Sequence, residues 1–381
     1  DLMAMKTTKN GLSNGVLVMM VLAALIAINV LGVKYYKTWD FSGAMIHSLS
    51  DQSVTLLSSL KEDLKVTMFY QKGSREADEM KRAFRELLKK YQDKSTYVKL
   101  DFVEVNERPD LAEQYGVNKG SGVVFLEYKG RKNRIDKIDE QEVTSALVKV
   151  TREKDHTLYF VGGHGEPDLE NAEDPQGLKR MKEVLEGNRY VVKPLVLATA
   201  NKGVPEDADA VVIVGPKQNF LEPEVAQLEA YLKKGGNLIL AVDPKTNHGL
   251  DGLVAKLGIS FANNYVLTVM NTILGKAIDP RQTPANEYSA SHEITKVFKN
   301  QYTVYRLPQA LKKIEGTTMT VEEIVKLGSQ AVSYNDTTFQ GTPGNGPFTI
   351  GMAVKGKFGG GEKESFAVVL GDSDFMTNQM F

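Results

Sequence analysis

The chain has 381 residues, of which 42% are apolar and 25% charged, with a formal net charge of −1. That is an ordinary globular balance with room for two or three hydrophobic cores. It lacks the basic excess that nucleic-acid binding calls for, so no nucleic acid is expected as a partner. The absence of cysteine removes thiol nucleophiles, disulfides and thiolate metal ligands in one step.

The first element breaks the globular pattern. Gly15 to Val33 reads "GVLVMMVLAALIAINVLGV", without a charge and with Asn29 its one polar residue. As a helix it would span about 28 Å, close to a bilayer core of about 30 Å. No small-x-small cleavage site follows; Tyr35, Tyr36 and Trp39 stand where an interfacial aromatic belt would lie. A retained single-pass anchor at 15–33 is therefore expected, with the lipid bilayer as its partner. It would be preceded by a tail at 1–14 and followed by a juxtamembrane linker and helix at 34–63. Lys6 and Lys9 balance Lys34 and Lys37, so flanking charge does not set the orientation.

In "HSLSDQSVTLLSSL", Ser48 or Ser50 can cap a helix with Val54, Leu57 and Leu60 on one face. "LKVTMFY" reads as a strand. Ser74 can cap a helix whose apolar stripe is Ala77, Met80, Phe84, Leu87, Leu88 and Tyr91. A strand at "YVKLDFVEV", a short helix at "RPDLAEQYGV", a hairpin turning at Lys129-Gly130 and a closing helix at "DEQEVTSALVKVTRE" complete the segment. This order resembles the thioredoxin fold over residues 64–150. The redox parts are missing: there is no CxxC, and Lys119 to Gly122 occupy the place of that family's cis-proline. A structural or partner-binding scaffold is expected.

From 155 to 381 a second α/β domain is expected. Strands at "HTLYFVG", "YVVKPLVL", "ADAVVIVGP", "NLILAVDP" and "ESFAVVLGDSDF" alternate with helices at "DPQGLKRMKEVLEGN" and "EPEVAQLEAYLKKGG". That alternation predicts a parallel sheet with helices on both faces. A further helix is expected near "TVEEIVKLGSQ".

The stretch "LYFVGGHGEPDL" (158–169) is the strongest candidate for chemistry. A phosphate loop is disfavoured, because Glu166, Asp168, Glu170, Glu173 and Asp174 would repel a polyphosphate and no GxxxxGK[ST] exists. The five histidines (47, 156, 164, 248 and 292) show no HxH or HxxxH pair, and neither a GxSxG elbow nor a Cys–His pair is present. No metal, cofactor or catalytic residue is expected. The glycines would turn the backbone sharply, leaving His164 on a solvated loop. Asp243, Asp372 and Asp374 follow two other strands, and carboxyl ends of parallel strands share one rim. Gly163, His164, Gly165, Glu166, Asp243, Asp372 and Asp374 thus form the candidate binding rim. The alternative is a hydrolase or carbohydrate-active protein using carboxylates there, which paired acids with one raised pKa would favour.

Taken in order, the membrane segment, "HSLSDQSVTLLSSL", "YFVGGHGEPD", "YLKKGGNLILAVDP", "EYSASHEIT" and "VVLGDSDFMTN" resemble the GldG-like family of auxiliary, substrate-binding-like components of ABC transport systems, including gliding-motility ones. The resemblance implies a cytoplasmic N-terminus and a soluble part outside the bacterial inner membrane. It implies an ABC permease and its ATPase as partners, leaves self-association open, and places a second membrane helix after Phe381. The second domain also resembles class I glutamine amidotransferase-like domains, without the cysteine those enzymes use. A non-enzymatic subunit is therefore expected, binding a ligand or coupling the transporter to envelope or motility machinery.

Overall fold

The computed structural model describes residues 49–381 except 74, 118–121, 274, 297 and 299–301. The expected anchor at 15–33, the Ser74 cap and most of the Lys119–Gly122 loop lie outside the described residues. Among those described, no helix is long and apolar enough to cross a membrane. The chain divides into two compact units between Asp155 and His156.

The first unit opens with helix α1 (Asp51–Ser58), whose N-terminus is closed by the Ser50 hydroxyl accepting from the Ser53 amide. Strand β1 (Leu64–Tyr70), helix α2 (Arg75–Gln92), strand β2 (Val98–Glu104), helix α3 (Pro109–Gln114), strands β3 (Val123–Tyr128) and β4 (Arg131–Ile135), and helix α4 (Glu140–Thr151) follow. The sheet order is β2-β1-β3-β4. β1 and β2 run parallel, β3 antiparallel to both β1 and β4. This is the order of elements read from the sequence. The hairpin turns at Lys129 and Gly130, both at positive φ, which matches the twist of its strands. Ala77, Phe84, Leu88 and Tyr91 of α2 are buried, with Met80 and Leu87 packed at the margin. Inside, the Thr144 hydroxyl meets Ser53 Oγ at 2.6 Å and Tyr91 Oη at 3.0 Å, pairing polar groups that burial would otherwise penalise.

The second unit is built on an eight-stranded sheet. Its strands are β5 (His156–Val161), β6 (Tyr190–Leu195), β7 (Ala210–Val214), β8 (Asn237–Ala241), β9 (Glu287–Tyr288), β10 (Thr320–Leu327), β11 (Phe348–Gly356) and β12 (Ser365–Leu370). They lie in the order β9-β10-β11-β12-β8-β7-β5-β6. The parallel sheet expected from the sequence is only part of this. β6, β5, β7, β8 and β12 are parallel, whereas β11, β10 and β9 extend the sheet antiparallel. Parallel neighbours need a crossover, usually a helix. No helix forms among the described residues between 257 and 347, so that stretch adds to the sheet by reversing direction.

The helix expected at "TVEEIVKLGSQ" is strand β10. Val321, Ile324, Val325 and Leu327 are buried, and a bulge shifts the register between Glu323 and Val325. The extra residue breaks the two-residue period, so the apolar spacing imitates a helix. Helix α5 (Lys179–Gly187) likewise starts later than "DPQGLKR" suggests, because Asp174 to Gly177 form a turn.

Alternate side chains of β5 enter different cores. Leu158 and Phe160 face Met181 and Leu185 of α5. Tyr159 and Val161 face the layer holding Leu228 and Leu232 of α6 (Glu222–Lys233), and Leu253 and Val254 of α7 (Asp251–Lys256). The α5 crossover from β5 to β6 and the α6 crossover from β7 to β8 therefore cover opposite faces. Strand order reverses between β5 and β7, and in open α/β sheets ligands bind where it does.

Candidate functional site

The carboxyl ends of β5, β7, β8 and β12 carry Gly162–Glu166, Gly215–Lys217, Asp243 and Asp372–Asp374. All seven residues singled out in the sequence thus belong to one rim, but they form two clusters.

The first is centred on His164. It is not on a solvated loop, as the glycines suggested: it is only 5% exposed. Its Nδ1 lies 3.2 Å from Glu166 Oε1 and its Nε2 2.9 Å from Glu224 Oε2. Both carboxylate side chains are themselves 3% exposed. The His164 amide donates to Glu166 Oε2 at 2.7 Å, and its carbonyl accepts from the amides of Lys217 and Gln218. The ring stacks on Phe220 at 3.7 Å between centroids. Glu224 is also held in place by the Leu221 amide at the start of α6.

The second cluster is acidic. Asp243 Oδ1 accepts from the Ser373 amide at 2.7 Å and Oδ2 from the Ser373 hydroxyl at 2.6 Å. Gly215 lets β7 pass this pair, since a Cβ there would lie 2.6 Å from Ser373 Oγ. Asp372 is fully buried and accepts from the amides of Arg306 and Asp374. Burial pushes its carboxyl well above the usual range, and the charges of Asp243 and Asp374 push the same way. Asp374 is pushed up to about 6, chiefly by burial and then by Asp243, with Arg306 and Lys217 opposing. Burial also raises Asp243, against its two bonds from Ser373 and the Lys217 charge. Lys217 therefore links the clusters, its amide bonded to His164 and its ammonium acting on the acids.

Glu224, Phe220, Lys217, Ser373 and Arg306 escaped the sequence reading. Glu224 had one local signal, its place three residues after Leu221 at a helix start, but nothing near it points to a histidine 60 residues away. Among the described residues no group of three histidine or acidic side chains is arranged to hold a metal ion.

A mixed α/β unit with a ligand-type rim at its strand-order reversal defines a broad class of binding and catalytic proteins. The family is narrower. Residues 155–381 match the model described as "ABC-type uncharacterized transport system", and the chain belongs to that family of auxiliary transport components. Residues 44–143 match a domain of unknown function (DUF7088). No curated protein matches the chain. Among solved structures it is similar to the "mmIFT52 N-terminal domain", with 17% identity and a TM-score of 0.42, covering 58% of this chain and 89% of that one. It is also similar to the germline-specific thioredoxin Deadhead of Drosophila melanogaster (22% identity, TM-score 0.20, covering 24% and 83%). Mitochondrial thioredoxin 3 of Saccharomyces cerevisiae matches with 20% identity and a TM-score of 0.20, covering 23% and 78%.

Proposed function

We propose that the chain is a GldG-like, non-enzymatic subunit of an ABC transport complex. It is anchored in the bacterial inner membrane through residues 15–33 and carries its two units on the extracytoplasmic side. In this reading the first unit is a thioredoxin-like scaffold for partners and the second an amidotransferase-like module without its nucleophile. The rim binds a ligand or docks the subunit against the permease or envelope machinery. The observation that carries the non-enzymatic part is the state of His164. A general base needs a nitrogen within reach of substrate, and both of its nitrogens are engaged by buried glutamates. Family membership supports the transport role, and the uncharged run at 15–33 supports the anchor.

The test is purification of the full chain from membranes. A carbonate wash should leave it in the pellet, and an ABC permease and ATPase should co-purify. Release of the intact chain would overturn the anchor; reproducible absence of both subunits would overturn the assembly.

One observation favours a second reading, a carboxylate-dependent hydrolase: Asp374 is raised to about 6 beside Asp243, as a general acid would be. Asp374→Asn should then abolish function in the cell while leaving assembly intact. In the first reading the same variant lowers function only together with weakened ligand binding or assembly.

A further inference from the structure

The motif "GDSDFMTN" (371–378) runs on past the acidic cluster, and its second half has so far had no role. Phe375, Met376, Thr377 and Asn378 are all buried. Asn378 is the most heavily bonded of them. Its side-chain oxygen accepts from the Arg180 amide at 2.9 Å. Its side-chain nitrogen donates to the carbonyls of Asn171 at 2.9 Å and Asp174 at 2.7 Å. The Asn378 amide donates to the Gly177 carbonyl and the Gln379 amide to that of Pro175. Gly177 lies so close that a Cβ there would come 2.8 Å from Asn378 Nδ2. Residues 374–380 thus strap down the lip at 171–180. That lip continues from the His164 loop, to which the Leu178 amide ties it through the Asp168 carbonyl.

The other end of the strap is rooted in the acids. The Asp374 amide donates to Asp372 Oδ1, and the Asp374 carbonyl accepts from the amide and hydroxyl of Thr377. Ser373 is held by Asp243 through its amide and its hydroxyl. Arg306 spans both parts: its amide donates to Asp372 Oδ2, and its guanidinium donates to Gln379 Oε1 and lies 4.0 Å from Asp374 Oδ2. Asp374 therefore faces Asp243 at the end of β8, Asp372 at the end of β12, Lys217 after β7 and Arg306. Lys217 is exposed and Arg306 half-exposed, so water screens both cations more than it screens the acids. On the lip, Glu170 and Glu173 are exposed, and Glu170 is paired with Lys179 and Lys182.

We propose that residues 372–380 form a proton-operated strap, which pins the 171–180 lip to the rim while the acid cluster is protonated and releases it when the carboxylates ionise. The strap needs neither a ligand nor a transport partner, so it stands apart from the reading above. Ionisation puts unscreened like charges at its root, and the backbone that carries those charges also carries the first turn of the strap. The sign follows from Asp374, whose carboxyl is pushed up to about 6 in the closed form against an ordinary 3.8 once open. The closed form therefore binds more protons and is favoured at low pH. Between pH 5 and 7.5 that difference amounts to about tenfold in the opening equilibrium.

Backbone hydrogen exchange of the full chain in non-ionic detergent, at pH 5 and 7.5 and corrected for the intrinsic pH dependence, tests it. Residues 174–180 and 374–380 should open together, exchanging faster than β8, which marks a local opening and not unfolding of the unit. Both should exchange about tenfold faster at pH 7.5 than at pH 5. Asp374→Asn should reduce that pH dependence by about tenfold. Asn378→Ala should speed exchange over 174–180 at both pH values. Protection that is the same at pH 5 and 7.5, a pH dependence that survives Asp374→Asn unchanged, exchange of both segments only at the rate of β8, or a lip indifferent to Asn378→Ala each overturns the proposal.

Discussion

The two clusters on the rim hold buried carboxylates by opposite means. Around His164, two glutamates share one imidazole, and an aromatic ring shields the set. Around Asp372, three aspartates crowd together with amides and a hydroxyl as close partners, while the cations Lys217 and Arg306 act from the margin. Buried charge is tolerated when it is paired and raises its own pKa when it is not. The first cluster is therefore a fastening whose parts depend on one another, and the second is a store of electrostatic tension relieved by protons. Two motifs that look equally functional in sequence, "GGHGE" and "GDSDF", differ in this respect.

The largest expected effect breaks the first cluster. His164→Ala leaves two buried carboxylates facing a void, and removing one partner of a buried pair costs about 3–5 kcal/mol. Urea unfolding of the full chain should show that loss, with His164→Gln losing less. A change below about 1 kcal/mol would mean the imidazole is not a tie.

The second effect has the opposite sign. The folded state holds Asp374 at about 6 against an ordinary 3.8, so it binds more protons than the unfolded chain in that interval. The stability this contributes is full below pH 4 and is lost as pH rises through 6. Asp374→Asn should accordingly stabilise the protein at pH 7.5 by about 1–3 kcal/mol, the gain fading below pH 4. Melting curves at pH 3.5 and 7.5 check this; a pH-independent difference would break the contrast between the clusters.

Gly163→Val tests the backbone alone. At φ of 111° a β-branched residue costs about 1–3 kcal/mol in strain, although the nearest atom to an added Cβ is Val196 Cγ1 at 3.8 Å. It should melt above His164→Ala. The smallest effect is that of Ser373→Ala, which removes one donor to Asp243 and should cost about 1 kcal/mol at pH 7.5. The cost should shrink in acid, as Asp243 takes up its own proton.

Glycine spacing and the acidic residues after each strand placed all seven rim residues correctly at the carboxyl ends of strands. Spacing could not reveal burial. From sequence, His164 between glycines looks solvated, which would rank Gly163→Val above His164→Ala. The reverse ranking comes from Glu224 and Phe220, brought in by α6 from a distant stretch of chain. In the first unit the order of elements was legible because its strands and amphipathic helices each carry a clear period, although β1 pairs with the distant β2 and β3. The antiparallel half of the second unit was not, since the β10 bulge disguised a strand as a helix and a two-residue strand such as β9 leaves no period to read.

The strand order has a consequence for synthesis. Asp243 and Ser373 are 130 residues apart in the chain but hydrogen-bonded in the sheet. Until β12 leaves the ribosome, β8 is an edge, and its sequence, "NLILA", is buried at every position in the finished sheet. An uncovered, largely apolar edge is a template for pairing with other chains, and long-range closures of this kind are slow. A nascent chain paused anywhere between 245 and 364 therefore exposes an apolar strand edge, and that interval is where chaperone capture, or aggregation in its absence, is expected.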